Sequence, residues 1–175
     1  MTLATGAEPR RLALLGADGA GVHYLRDTTD PAALSQTLDH ASRLVIIGGG
    51  VIGLEVAAAA ATRGVDVVVL EAAARVLARG VPAAVAGWLQ ALHEEHGVVV
   101  RTGVAPDAVL RSPDDAVTGV RLADGTVVPA DTVLAGLGIV PRAGLARANG
   151  LAVDDGVLID PAGRTTLAAC SPPET

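Results

Sequence analysis

Residues 48–53 read Gly-Gly-Gly-Val-Ile-Gly, and Glu71 stands about twenty residues further on. Gly48, Gly50 and Gly53 match the pattern G-x-G-x-x-G, with Val51 and Ile52 between the last two glycines. An apolar run, Leu44 to Ile47, precedes the motif, and an alanine-rich run follows it. That context suits the binding of a dinucleotide pyrophosphate. Gly48 permits the tight turn, Gly50 leaves room for phosphate against the backbone, and Gly53 lets helix and strand pack closely. The pyrophosphate would rest on free N–H groups at the helix N-terminus, where the helix dipole favours negative charge. Glu71 closes a second apolar run, where a carboxylate accepts hydrogen bonds from ribose hydroxyls and repels a 2′-phosphate. NAD(H) is therefore favoured over NADP(H). Arg75 and Arg79 keep that choice open, with solvated surface charge as their plainer reading, and Arg79 stays among the cofactor-binding candidates. Glu55 falls on the expected first turn of the helix, where it either serves the dipole or reaches the nicotinamide end of the site.

Other chemistry has little to build on. His93 and His96 stand three apart near the expected end of a helix, without a third metal ligand; His23 and His40 have no visible partner. Cys170 is the single cysteine, so no internal disulfide, CxxC pair or cysteine-based zinc site can form. Net charge is −6 with no basic run, and Trp88 and Tyr24 are the only aromatics. Nucleic acid and anionic membrane are poor partners for such a chain. Half of the residues are hydrophobic, which is incompatible with a disordered chain. No basic-then-apolar leader is visible, and the longest apolar region is interrupted by three glycines and Glu55, so the cytoplasm is the expected compartment.

The elements that must carry these residues follow from pattern. "RLVIIGGG" reads as a strand buried on both faces of a parallel sheet, "VDVVVLE" as a second buried strand and "VVVR" as a third strand. Helices are expected between them, one ending at Gly64 and one over residues 82–96 with Gly97 beyond its end. "HYL" reads as a strand, and Asp30 as the N-cap of a helix with Pro31 at its first position, running to about His40. After residue 102 the rhythm shortens to strands, with Asp124-Gly125 as a hairpin turn. A short helix near 143–149 closes at Asn149-Gly150, and "GVLID" reads as a last strand. The expected fold is α/β: a Rossmann-type βαβαβ unit, then a β-meander and a final buried strand.

The segments "LATGAEPR", "GVHYLR", "VIIGGGVIGLEVAAAAATRGVDVVVLEAAARVLAR", "WLQALHEEHGV" and "GVRLADGTVVPADTVLAGLGIVPRAGLARANGLAVDDGVLIDPAGRT" together resemble FAD-dependent, pyridine-nucleotide-linked reductases of the ferredoxin and rubredoxin reductase type. The resemblance runs from Leu3 to about Arg164. It implies two interleaved nucleotide-binding domains, the FAD domain interrupted by the NAD domain. By that likeness, Ala4, Thr5 and Gly6 end the first FAD segment, and Arg10 contacts FAD. Gly48, Gly50, Gly53 and Glu71 form the NAD site, and Glu55 lies near the flavin–nicotinamide contact. Gly136 and Gly138 form a second glycine-rich turn toward the nicotinamide half. The family's partner is a small iron–sulfur protein, ferredoxin or rubredoxin. Two departures are Ala74 and Arg142, where the family often has Pro and Asn.

The resemblance implies four segments: residues 1–15 as the end of the first FAD segment, 16–140 as the NAD(H)-binding domain, 141–164 as the start of the returning, second FAD segment, and 165–175 as an out-of-frame tail. With codons TGT TCG CCG CCG GAG ACN for Cys170 to Thr175, reading from the third base yields Phe-Ala-Ala-Gly-Asp, the family's FAD signature. The expectation is a fragment that binds NAD(H), does not retain FAD and is inactive alone. Two alternatives stand beside it: a stand-alone, non-catalytic NAD(H)-binding module, and a methyltransferase using the same glycine turn for S-adenosylmethionine. Gly53 and the late "AGLGIVP" argue against the methyltransferase.

Overall fold

The computed structural model describes residues 2–165. Cys170 and the proposed frame-shifted tail, apart from Thr165, lie outside them. In chain order the elements are β1 (Ala7–Pro9), β2 (Val22–His23), α1 (Asp30–Leu38), β3 (Arg43–Ile47), α2 (Val51–Ala61), β4 (Asp66–Glu71) and α3 (Ala83–Glu95). There follow β5 (Val99–Thr102), β6 (Pro106–Arg111), β7 (Val117–Leu122), β8 (Val127–Pro129), β9 (Thr132–Ala135), β10 (Ile139–Pro141) and α4 (Gly144–Ala148). They form two compact units. One spans residues 11–138; the other joins residues up to 10 with those from 139 on.

The larger unit holds a five-stranded sheet in the order β2-β9-β3-β4-β5, parallel throughout. The expected βαβαβ unit is β3-α2-β4-α3-β5. Its central strand explains the unbroken apolar run: side chains alternate across the sheet, and both faces are covered. Leu44 and Ile46 pack with Leu34 and Leu38 of α1 and Ala57 and Ala60 of α2. Val45 and Ile47 face the other way, onto Val109, Val120 and Val128 of the three-stranded antiparallel sheet β6-β7-β8. The unit is thus helices, parallel sheet and meander in three layers. Alanines at 57 and 60 let α2 lie close against the sheet.

After β5 the chain passes through the meander and returns as β9 on the far side of β3, where Ile47 pairs with Ala135. The strand order therefore reverses between β3 and β9. A crevice at the carboxyl ends of the strands belongs at such a switch point.

The smaller unit pairs β1 with β10 antiparallel, Glu8 opposite Val140, and adds α4. Asn149 and Gly150 follow the end of α4, as expected, with Gly150 at φ 75°. "GVLID" does not form the expected strand. It contributes only an isolated bridge between Val153 and Val157, and Leu158 and Ile159 stand 50% and 63% exposed. Residues 152–154 lie beside it, with Leu158 N–H donating to Ala152 O and Asp154 N–H to Gly156 O, both at 2.9 Å, but a single bridge does not extend into a ladder.

Two further expectations are corrected. "HYL" becomes strand one residue early, at Val22–His23, because Val22 aligns with Val133 of β9. Asp30 is the first helical residue and Thr29 the N-cap. The Asp30 carboxylate turns back to accept from the N–H groups of Arg26 and Asp27, so it organises the entry loop instead of capping the helix.

Candidate functional site

The glycine-rich loop leaves β3 at the switch point. Gly48 has φ 109°, in the range that favours glycine, and a β-carbon there would strike the Gly136 carbonyl oxygen. Gly48 N–H donates to Leu70 O at 2.8 Å, and Gly136 N–H donates to Ile47 O at 2.8 Å. The ends of β4, β3 and β9 are thereby stitched side by side. A β-carbon on Gly53 would collide with Gly48 O and reach Ile46 Cγ2 at 3.2 Å. Gly50 differs: nothing lies within 4 Å of where its β-carbon would be. Two of the motif's glycines are filled against protein, and the third faces open space.

That space is a cleft of about 610 Å³, lined by Gly48 to Val51, Glu71 to Ala73, Leu77 to Arg79, Gly136 and Leu137, with Leu12 to Leu14 and Pro106 on its other side. Gly50 is the N-cap of α2 and no side chain caps it. The first intrahelical bond is Leu54 N–H to Gly50 O at 3.0 Å, so the N–H groups of residues 51–53 precede the ladder. Val51 is 59% exposed at the cleft. Backbone donors, a dipole end and a carboxylate thus converge on one hollow.

Glu71 is half-buried and already engaged. Its Oε2 accepts from Gly49 N–H and its Oε1 from Ala73 N–H, both at 2.7 Å. Each carboxylate oxygen has a second lone pair, so ribose hydroxyls can still be accepted. Arg79 is exposed at the cleft, its guanidinium 3.8 Å from where a β-carbon on Gly138 would stand. Gly138 has φ 88°.

Four of the candidates expected at the NAD(H) side do not line the cleft: Ile52, Gly53, Glu55 and Gly138. Ile52 is exposed beside it on α2, and Gly53 supports it from beneath. Glu55 is the fifth residue of α2, so it stands in the second turn, not the first, and is exposed. The helix begins directly after Gly50, which moves Glu55 beyond the terminal N–H groups. Thr5, Gly6 and Arg10 belong to the smaller unit. There Thr5 Oγ1 donates to Arg142 O at 2.7 Å, and Gly6 O accepts from Arg142 N–H at 2.9 Å. Arg10 Nη2 lies 3.8 Å from Asp155.

Some participants had no sequence signal. Gly49, an x position of the motif, cannot carry a β-carbon, since Val76 Cγ1 would be 2.9 Å away. Residues 12–14 wall the cleft without any local pattern to mark them. Arg75 is not solvated surface charge: it is half-buried and bonds three backbone carbonyls. His93 bridges helices, with Nδ1 2.8 Å from Leu89 O and Nε2 3.0 Å from Leu54 O. Among the described residues no helix is long and apolar enough to cross a membrane.

The family model described as pyridine nucleotide-disulphide oxidoreductase matches residues 1–169. Rhodocoxin reductase of Rhodococcus erythropolis is 43% identical over 162 residues, covering 91% of this chain and 37% of that protein. The ferredoxin–NAD(+) reductase component of the biphenyl dioxygenase system of Paraburkholderia xenovorans (strain LB400) is 43% identical over 166 residues, 95% of this chain and 40% of that one. The crystal structure of the covalent putidaredoxin reductase–putidaredoxin complex superposes with TM-score 0.85 at 43% identity, over 94% of this chain and 40% of that chain. The chain thus spans about two fifths of the length of the relatives it matches.

Proposed function

The chain belongs to the pyridine nucleotide-disulphide oxidoreductase family, and from that premise we propose that it is the NAD(H)-binding part of a FAD-dependent ferredoxin reductase. The observation that carries the reading is the open space at Gly50, set between two glycines packed against protein. Capping alone would admit Ser, Thr, Asp or Asn at this position, and a ligand's approach favours the residue with no side chain. The residues present fit a dinucleotide: uncapped N–H groups at α2 for the pyrophosphate, Glu71 for the adenosine ribose, and Gly136, which lines the cleft, for the nicotinamide half, with Gly138 two residues on. Arg79 supplies positive charge at the same cleft. Bound NADH supplies a hydride and FAD, in the whole enzyme, the means of releasing electrons singly.

The chain's own work is binding and orientation. The glycine loop would hold the pyrophosphate, Glu71 would select the ribose, and Glu55, exposed in the second turn of α2, would serve the flavin–nicotinamide contact. Thr5, Gly6 and Arg10 serve the FAD side. Glu71 would repel a 2′-phosphate and Arg75 is spent on carbonyls, so NADH is the preferred nucleotide. The electron acceptor we assign is a small iron–sulfur protein of the ferredoxin or rubredoxin class, and the compartment is the cytoplasm. In this reading the 175-residue chain does not retain FAD and is inactive by itself.

Titrating the purified chain with NADH and NADPH tests this. NADH should bind roughly 100-fold tighter, as like charge beside Glu71 penalises NADPH by several kcal/mol. No binding of either would overturn the reading. A stand-alone NAD(H)-binding module is the second reading, favoured by the larger unit enclosing its own core. Flavin absorbance and dye reduction by the longer gene product separate the two, since a module would show neither.

A further inference from the structure

We propose that Arg75 is a positioning residue that locks the glycine-rich loop through the loop after β4, and is not a phosphate ligand. Its consequence for nucleotide binding rests on the reading of the cleft given above; the lock itself does not.

Arg75 folds back over its own loop. Nη1 donates to Leu77 O at 2.9 Å and Val76 O at 3.3 Å, and Nη2 donates to Ala78 O at 3.1 Å. Three successive carbonyls can face one guanidinium because Leu77 adopts φ 50°, an uncommon conformation for leucine. A planar fork of five donors suits three acceptors better than a single ammonium does.

That turn aims Leu77 N–H at Gly49 O, 2.9 Å away. The other side of Gly49 is held too, since its N–H donates to Glu71 Oε2 at 2.7 Å. Gly49 is therefore gripped through both of its peptide groups, by the end of β4 on one side and by the loop after it on the other. Val76, fully buried, presses against it and forbids a side chain there. Gly48 and Gly50 flank this residue, so their geometry is inherited from the grip. Ala72, Ala73, Leu77, Ala78 and Arg79 line the cleft while Arg75 does not. Its charge is turned away from the ligand and onto the backbone.

The test uses the 175-residue chain with Arg75→Gln and Arg75→Lys. Amide hydrogen exchange is measured without nucleotide. Exchange at Gly49 and Leu77 should accelerate roughly tenfold or more in Arg75→Gln, the order set by losing charge-assisted bonds, with Arg75→Lys between it and the parent. Exchange at Ile46 in β3 should not change, which separates a local release from unfolding. Where the parent binds nucleotide, the dissociation constants for NADH and NADPH should rise by the same factor. Unchanged protection at Gly49 and Leu77 would overturn the proposal, as would a loss of NADPH affinity that leaves NADH affinity intact. Should Arg75→Gln fail to fold, Arg75→Lys decides on the same two amides. A parent chain that binds no nucleotide defeats the functional reading alone, since the exchange result still judges Arg75.

Discussion

An added methyl group separates Gly50 from Gly48. Gly50 has φ −81° and open space around it, so Gly50→Ala should leave the melting temperature nearly unchanged while weakening NADH binding at least about tenfold, through obstruction of the backbone approach. Gly48→Ala meets both φ 109° and the Gly136 carbonyl, and should cost about 1–3 kcal/mol of stability in denaturant unfolding. His23 supplies a pH dependence. It is half-buried, its Nε2 has no hydrogen-bond partner among the described residues, and burial lowers its pKa below the ordinary 6.5. The unfolded chain then binds the proton more readily than the folded one. Stability is present above 6.5 and falls as pH drops from there toward the lowered value. His23→Leu should flatten that limb of a plot of unfolding free energy against pH. Asp27 and Asp124, both held down by bonds to threonines two residues on, act only in a separate window beginning near 3.8. The three motif glycines were legible because each answers a local geometric demand. Gly49 and Arg75 were not, because their constraints come from a loop more than twenty residues away and from backbone carbonyls that have no sequence signature.

At the scale of elements, the long buried runs were readable, and so was the hairpin at Asp124-Gly125 that joins β7 to β8. β3 and β4 each carry an apolar run that fits a strand covered on both faces, and α2 and α3 end at glycines as expected. β10 was not anticipated, since three residues carry no period; it exists by pairing with β1. "GVLID" had the composition of a strand but makes only one bridge, Val157 to Val153. Between elements, Arg111 of β6 ties the meander to the segment before β2. Its Nε donates to Gly16 O at 2.7 Å and Nη1 to Ala20 O at 3.0 Å, while its side chain is only 12% exposed. Arg111→Leu should destabilise the larger unit by about 2–4 kcal/mol, since the carbonyls of Gly16, Ala20 and Asp115 lose a charged donor; urea unfolding followed by circular dichroism would measure it. A change under 0.5 kcal/mol would mean that water replaces those bonds.

The molecule as a whole has one well-covered unit and one thinly covered unit. Residues 11–138 enclose two large apolar clusters on either face of a parallel sheet. The smaller unit has a two-stranded ladder, a five-residue helix and exposed Leu145, Leu158 and Ile159. Its ion pairs, Arg142–Glu8 and Arg10–Asp155, are exposed and contribute little. Limited proteolysis should therefore cut first outside residues 11–138 and leave that stretch as the resistant core, identifiable by mass spectrometry. Early cleavage within β3 or β4 would contradict it. The sequence by itself determined the βαβ core, the glycine turn and the acidic residue after the second strand, because hydrophobic period, glycine spacing and strand length are local properties. It also carried the likeness to flavoprotein reductases. Tertiary structure alone decided that β9 returns beside β3, bringing Gly136 against Gly48, and that the end of β4 and the loop after it grip Gly49 from two sides. Gly136 with Ile47 and Leu77 with Gly49 join residues about thirty to nearly ninety positions apart through backbone hydrogen bonds, which every residue but proline can donate and which therefore leave no mark in the order of side chains.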